Sequence, residues 1–325
     1  MTPGKQAGLE AVSTERGIIA ALALDQRGSL AAIMSATAGR PPDDAALPEF
    51  KAAVARALTP EVSAILLDLQ YGRPAFAERA PNSGLMLAYE QDAYLNRHPE
   101  RLPELIPELS VRRLKQAGAN CVKLLVHYSP FASRGTNEIK KALVERVGAE
   151  CRAEDTPFFL EVLGYDARGG QSNGYARLRP EIAIRNLSEF SGDQYGVDVL
   201  KIELPVDLKC VSGTRSFQGN EVYSRSEAIG FFQQAAAAAR RPFIFLSAGV
   251  SHDEFVEGLM LAAEAGVPYS GVLCGRATWQ DGARLYAREG LAALERWLAT
   301  DGKRNIQALN ECLKSAKPWN AVASA

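Results

Sequence analysis

Histidine and cysteine are scarce, neither sign of charge prevails, and each shortage removes a class of function. Three histidines serve 325 residues, and His98, His127 and His252 stand too far apart to pair on one helix, so no metal centre is expected unless distant residues converge on zinc. Cys121, Cys151, Cys210, Cys274 and Cys312 are odd in number, scattered, and never in a Cys-x-x-Cys pair, which predicts reduced thiols. The 37 basic and 38 acidic residues leave a formal net charge of -1, so no global field draws the chain to nucleic acid or anionic lipid. An anionic ligand must be held locally. No apolar run is long enough to cross a bilayer, and residues 1–16 are polar and mixed in charge, without the apolar core of a secretion signal. The expectation is a soluble cytoplasmic protein with no membrane or nucleic-acid partner. Nothing resembling Gly-x-Gly-x-x-Gly follows the first apolar run, and there is no Walker loop.

What the chain does have is a rhythm. Eight strand-like apolar runs, at 17–25, 64–68, 84–90, 121–128, 157–164, 197–205, 242–249 and 269–276, recur across most of its length. Apolar spacing and capping signals predict helices over 47–58, 110–117 and 137–153. A further helix is expected to open at Pro180 in the first-turn position, others start at Ser224 and near Ser251, and two C-terminal ones cover 291–298 and 306–313. A short lead-in helix ends near Arg16, and the polar stretch 206–223 is long enough to form a lid. No composition shift marks a boundary. The count and spacing predict one (β/α)8 TIM barrel spanning 1–325, with extra N- and C-terminal helices. A doubly wound open sheet is the alternative, lacking its usual nucleotide signature.

Parallel strands buried on both faces should be almost wholly apolar, yet most of these carry one misplaced polar group. The first run ends in Asp25 with Gln26 and Arg27, the fourth holds Lys123, the fifth Glu161, and the sixth Lys201 and Glu203. Alternation places Val197, Val199, Lys201 and Glu203 on one face, and Cys121, Lys123, Leu125 and His127 on one face of the fourth run. In a barrel these groups would converge at the carboxyl ends of the strands. A desolvated lysine can be an amine nucleophile toward a carbonyl, and like-charge repulsion between Lys123 and Lys201 would depress one of the two amines. Glu161 between them could shuttle protons. The plainer readings are a snorkelling Lys201 paired with Glu203, or a buried ion-pair network that fixes register. Ser247-Ala-Gly249 before a helix start, together with Gly275-Arg276, matches the phosphate site formed after strands seven and eight of many barrels. Read alone, Gly275-Arg276 is more simply a turn and a surface arginine. Cys274 is placed on the inward face of the eighth run as a core residue, and Tyr89 and Glu90 end the third run with no assigned part.

The segments Ala21-Leu-Ala-Leu-Asp-Gln-Arg-Gly28, Leu66-Leu-Asp-Leu-Gln-Tyr-Gly72, Val122-Lys-Leu-Leu125, Pro157-Phe-Phe-Leu-Glu161, Val199-Leu-Lys-Ile-Glu203, Leu246-Ser-Ala-Gly-Val250 and Gly271-Val-Leu-Cys-Gly-Arg-Ala-Thr-Trp279 resemble the class I tagatose-1,6-bisphosphate aldolase family. That family includes sulfofructose-phosphate aldolases. The resemblance runs from about residue 17 to 319 and departs at Leu69-Gln70, where Pro-Glu is expected in tagatose-type members. It implies that Lys201 is a Schiff-base lysine, Glu161 a proton-transfer group, Lys123 and Asp25 polar active-site groups, and Ser247, Gly249, Gly275 and Arg276 phosphate binders, with Gln26 beside them. The implied reaction is metal-free, cofactor-free cleavage of a phosphorylated ketose, with Asp25 and Glu161 handling the C4 hydroxyl proton. Sulfofructose 1-phosphate is the alternative substrate, with Arg27 and Arg73 as candidates for the distal anion. A barrel phosphosugar isomerase or a sugar-phosphate sensor would share the phosphate site without needing Lys201, Glu161 and Lys123 together. A homodimer or tetramer is expected from the habits of barrels.

Overall fold

The computed structural model describes residues 1–92, 100–168 and 172–322. Eight parallel strands close into a barrel: β1 (Ile19–Ala23), β2 (Ala64–Leu67), β3 (Gly84–Ala88), β4 (Cys121–Tyr128), β5 (Phe158–Gly164), β6 (Val199–Glu203), β7 (Phe243–Leu246) and β8 (Gly271–Cys274). Neighbours in sequence are neighbours in the ring, and β8 pairs with β1 to shut it. Each expected run holds one of these strands. No helix among the described residues is long and apolar enough to cross a membrane.

Alternation sorts the strand residues into two apolar layers. Ile19, Ala21, Ala23, Leu66, Met86, Ala88, Cys121, Phe159, Val199, Ile244 and Leu273 fill the barrel, joined by Leu9, Val12 and Trp319. The helix Pro3–Ala11 and the C-terminal Trp319 thereby close the amino-terminal end. Outward residues such as Leu22, Ile65, Val122, Leu160, Leu200 and Phe245 pack beneath the helices. Cys274 belongs to this outer layer, beside Val272, while Leu273 faces inward, so the sequence expectation of an inward Cys274 is off by one position. A one-residue shift flips a strand side chain to the opposite face, and the glycine-flanked β8 gives little apolar pattern to fix it.

Helix starts follow the serines: Ser110, Ser133, Ser224 and Ser251 each accept a backbone N–H from three residues on. Three helical features depart from expectation. The helix Ser172–Phe190 carries Pro180 in its interior. A mid-helix proline costs about 3 kcal/mol, and burial of Ala176, Ile182, Leu187 and Phe190 along the same helix offsets it. The helix Arg276–Glu289 occupies a stretch where the sequence suggested only a strand end. Its buried residues are Ala277, Thr278, Trp279, Gly282 and Ala283, with Trp279 the one large apolar side chain, so no apolar period stands out from the charges around it. The helix Gly28–Ala38 is likewise hidden by small residues.

Stretch 206–223 is no lid. Glu257, on the outer helix His252–Glu264, accepts the backbone N–H groups of Arg215 (2.5 Å) and Ser216 (2.9 Å), and Val211–Ser212 pairs with Tyr223–Ser224. None of its residues borders the cavity at the barrel mouth.

The β1–β8 seam makes one glycine indispensable. Gly271 has φ +141° opposite Ile19, and a Cβ there would lie 2.0 Å from the Ile19 carbonyl oxygen. Gly271→Ala should cost on the order of 2–4 kcal/mol, from a strained backbone and a forced seam, read as a lower urea midpoint at unchanged slope. An unchanged midpoint would show that the seam yields freely.

Candidate active site

One step beyond the apolar layers, the inward alternation turns polar on strand after strand. Ala23 is followed by Asp25, Ala88 by Glu90, Cys121 by Lys123, Phe159 by Glu161, Val199 by Lys201, and Leu273 by Gly275. These residues border a cavity of about 320 Å³ at the carboxyl end of the barrel, with Gln26, Arg27, Arg101, His127, Ser247, Gly249 and Arg276 also in its wall.

Lys123 is the hub. Its Nζ donates to Asp25 Oδ2 at 2.8 Å and Glu90 Oε1 at 2.5 Å, and lies 2.9 Å from Glu161 Oε2. The side chain is 1 % exposed, so its charge has no water to replace these carboxylates. Glu90 is fixed in turn by the Leu125 N–H, which donates to Oε2 at 3.1 Å. Lys201 Nζ donates to the same Glu161 oxygen at 2.8 Å, and register pairs Glu161 directly with Lys201 across β5 and β6. Lys201 therefore pairs with Glu161 and not with Glu203, which accepts the Gly164 N–H at 2.8 Å and faces Arg179.

At Lys123, Asp25 and Glu161 burial pushes against the charge, and opposite charge wins. The Lys123 ammonium, which desolvation alone would lower, is held well above the usual lysine range by Asp25, Glu161 and Glu90. Of the two amines that the sequence sets against each other, Lys123 is thus the one that keeps its charge; three carboxylates outweigh one neighbouring ammonium. Burial would raise Asp25, but Lys123 and Lys201 hold it down at about 2. Glu161 is lowered the same way, against burial, by Lys123 and Lys201. Among the described residues, buried Asp25 Oδ1 has no hydrogen-bond partner and neither has Gln26 Oε1, leaving two acceptors in the wall without donors.

The opposite wall is built from backbone. Ser247 accepts the Val250 N–H across a turn whose central residues, Ala248 and Gly249, both have positive φ. A Cβ on Gly249 would lie 2.8 Å from Arg276 Cζ, so only glycine lets that guanidinium lie flat on the turn. A Cβ on Gly275 would meet Gln26 Nε2 at 3.0 Å. Arg276, first residue of its helix, has no ion pair among the described residues. Backbone amides, a hydroxyl and a guanidinium without an ion pair are groups able to cradle an anion.

The structure thus brings all nine sequence-selected residues, Asp25, Gln26, Lys123, Glu161, Lys201, Ser247, Gly249, Gly275 and Arg276, to one cavity. Arg27 also borders it, donating to the Glu90 carbonyl at 2.9 Å; Arg73 is exposed and does not. His127 faces the cavity, His252 sits on an outer helix, and His98 lies outside the described residues. Glu90 is the residue sequence reasoning left unassigned. Its signal was the inward alternation of Met86, Ala88 and Glu90. Arg101, in an irregular stretch, gave none. Cys274 is buried, its thiol pushed up to about 11 by desolvation, and plays no part in the cavity.

A family model described as DeoC/LacD family aldolase matches residues 19–281. The chain belongs to this aldolase family. Among its relatives, tagatose 1,6-diphosphate aldolase of Listeria monocytogenes serotype 4a (strain HCC23) is 46% identical over 322 residues, covering 98% of this chain and 94% of that protein. Tagatose 1,6-diphosphate aldolase 1 of Enterococcus faecalis (strain ATCC 700802 / V583) is 46% identical over 316 residues (96% and 95% covered), and that of Streptococcus mutans serotype c (strain ATCC 700610 / UA159) 42% over 322 residues (98% of each). Among solved structures, a Schiff-base-forming fructose-1,6-bisphosphate aldolase superposes with a TM-score of 0.58 at 17% identity, covering 94% of this chain and 97% of that one. At that identity the likeness is one of fold.

Within this family site, the hub makes a stability prediction. Lys123→Met leaves Asp25, Glu90 and Glu161 buried without their common cation, costing about 3–5 kcal/mol at pH 8. In wild type, Asp25 has a depressed folded pKa, so its contribution is present above the unfolded value near 4 and lost as pH falls toward about 2. Without Lys123 the carboxyls rise and take up protons, so the deficit should shrink by pH 5.5. Urea unfolding at both pH values checks this; an equal deficit at both means that the carboxylates do not depend on Lys123.

Proposed function

We propose that this chain is a class I aldolase that reversibly cleaves D-tagatose 1,6-bisphosphate to dihydroxyacetone phosphate and D-glyceraldehyde 3-phosphate. The observation that carries the reading is the buried Lys201 Nζ, 2.8 Å from a Glu161 oxygen that also serves Lys123, in a cavity walled by an anion cradle. The names and near-full-length similarity of the relatives support the substrate.

The Lys201 amine adds to the C2 ketone while the cradle of Ser247, Gly249, Gly275 and Arg276 holds the C1 phosphate. Glu161 takes the proton that Lys201 gives up. That transfer removes one of the two cations holding Glu161 down, so the carboxyl becomes a better proton carrier at the moment it is needed. It returns the proton to the carbinolamine hydroxyl, water leaves, and the cationic iminium on Lys201 becomes the electron sink. Asp25 Oδ1, buried and without a partner, accepts the C4 hydroxyl proton. The C3–C4 bond breaks, the aldehyde departs, and the bonding pair becomes the enamine on Lys201. Protonation at C3 and hydrolysis release dihydroxyacetone phosphate. Lys123 stays charged throughout, orienting Asp25 and Glu161 and stabilising developing oxygen charge.

Borohydride reduction in the presence of dihydroxyacetone phosphate should leave a permanent mass adduct on wild type and none on Lys201→Met; no adduct on wild type would sink the Schiff-base reading. Asp25→Asn should still trap the adduct while cleavage of the bisphosphate falls by about 10²–10⁴-fold, the usual worth of a positioned general base. Loss of trapping and cleavage together would place Asp25 in carbinolamine chemistry instead.

A further inference from the structure

No residue of β2 borders the cavity, although position 68 continues the inward alternation of Ala64 and Leu66. Asp68 stands there, just past the strand, within Leu66-Leu-Asp-Leu-Gln-Tyr-Gly72. Its carboxylate is engaged from outside the barrel. Lys51 Nζ, on the helix Ala46–Leu58, donates to Asp68 Oδ2, and the Tyr71 N–H donates to Oδ1 at 2.7 Å. Both charged side chains are 0 % exposed. The helix that carries Lys51 is fixed against the end of β1: the ring of Phe50 meets that of Trp279 edge-on at 5.8 Å, and the Trp279 indole N–H donates to the Ala23 carbonyl at 2.9 Å.

Asp68 is the neighbour of Asp25 round the ring. β1 and β2 pair Ala21 with Ala64 and Ala23 with Leu66, so the same register carried two residues on sets Asp25 beside Asp68. Asp25, Asp68, Glu90 and Glu161 thus put four carboxylates at inward positions of β1, β2, β3 and β5, against two lysines, Lys123 and Lys201, on β4 and β6. Lys123 serves three of the four acids. A fourth buried acid without a cation of its own would compete for Lys123 or hold a proton next to Asp25, and either would disturb Asp25 as a base. Lys51 removes that conflict. Burial would raise Asp25, Lys123 and Lys201 hold it down, and the Lys51 charge adds to their hold. Burial lowers Lys51 itself, against the pull of Asp68 and then of Asp25.

We propose that Lys51 is a positioning residue for the cleavage step: as the dedicated counter-ion of Asp68, it leaves Lys123 to the three acids of the cavity and Asp25 free to take the C4 hydroxyl proton. The inference rests on the aldolase reading and deepens it. Lys51 touches no substrate and acts through Asp25.

The test is a cycle of Lys51→Met, Asp25→Asn and the two combined, in the full-length protein. Lys51→Met should lower kcat for cleavage of D-tagatose 1,6-bisphosphate by about ten- to a hundredfold with KM little changed, while borohydride still traps the dihydroxyacetone phosphate adduct. In the Asp25→Asn background the same change should lower kcat by no more than about twofold. Equal factors in the two backgrounds would show that Lys51 serves the fold alone, and would overturn the proposal. Lys51→Met/Asp68→Asn, which keeps an acceptor for the Tyr71 N–H, should recover most of the lost cleavage. If Lys51→Met alone does not fold, a folded and cleaving double variant supports the proposal; a double variant as impaired as Lys51→Met, or itself unfolded, overturns it. Urea midpoints carry the first cycle without turnover: the drop caused by Lys51→Met should be smaller in Asp25→Asn than in wild type. Equal drops overturn the role of Lys51 even if wild type cleaves no ketose bisphosphate.

Discussion

A permanently charged lysine in a dry barrel is the constraint on which the rest of this site depends. Lys123 can stay buried only because carboxylates from β1, β3 and β5 reach it, on Asp25, Glu90 and Glu161. Moving an ammonium from water into such surroundings costs several kcal/mol, and a missing carboxylate would leave that cost uncompensated. The network therefore fixes how the strand ends sit relative to one another. It also fixes the chemistry: the cation that satisfies the three acids holds Asp25 and Glu161 ionised, ready to accept protons.

From that hub the cavity divides by charge. Toward β6 stands Lys201, whose ion pair among the described residues is with the Glu161 it shares with Lys123. Toward β7 and β8 the wall is amide, hydroxyl and guanidinium; toward β4 and β5 it is Arg101 and His127. Acids sit at the centre and cations at both ends. Such walls can hold an anionic ligand locally, with Arg276 to one side of the acids. An overall charge of -1 is no obstacle, because the attraction is local.

Much of this was legible beforehand because strand alternation is a local rule. Lys123, Glu161 and Lys201 are polar at inward positions of otherwise apolar strands, and a barrel must bring such positions together. The same rule pointed to Glu90 two residues after Ala88, had it been pressed past the end of the apolar run. It failed for Cys274, where β8 is short and its flanking glycines carry no pattern; the helix Arg276–Glu289 was missed because Trp279 is the one large apolar side chain on its buried face. Pro180 misled because a helix-breaking preference of about 3 kcal/mol is smaller than the burial of a whole apolar face.

The sequence by itself determined the alternation of eight strands with helices, which positions point inward, and which of those are lysines and acids, since each depends only on residues near one another in the chain. Tertiary structure decided that Lys123 is the charged hub, that Lys201 shares Glu161 with it, and that Arg101 reaches the same cavity as Arg276. Those outcomes depend on strand register, ring closure and the path of an irregular connection. Electrostatic energy depends on distance in space, and only the closed barrel sets those distances.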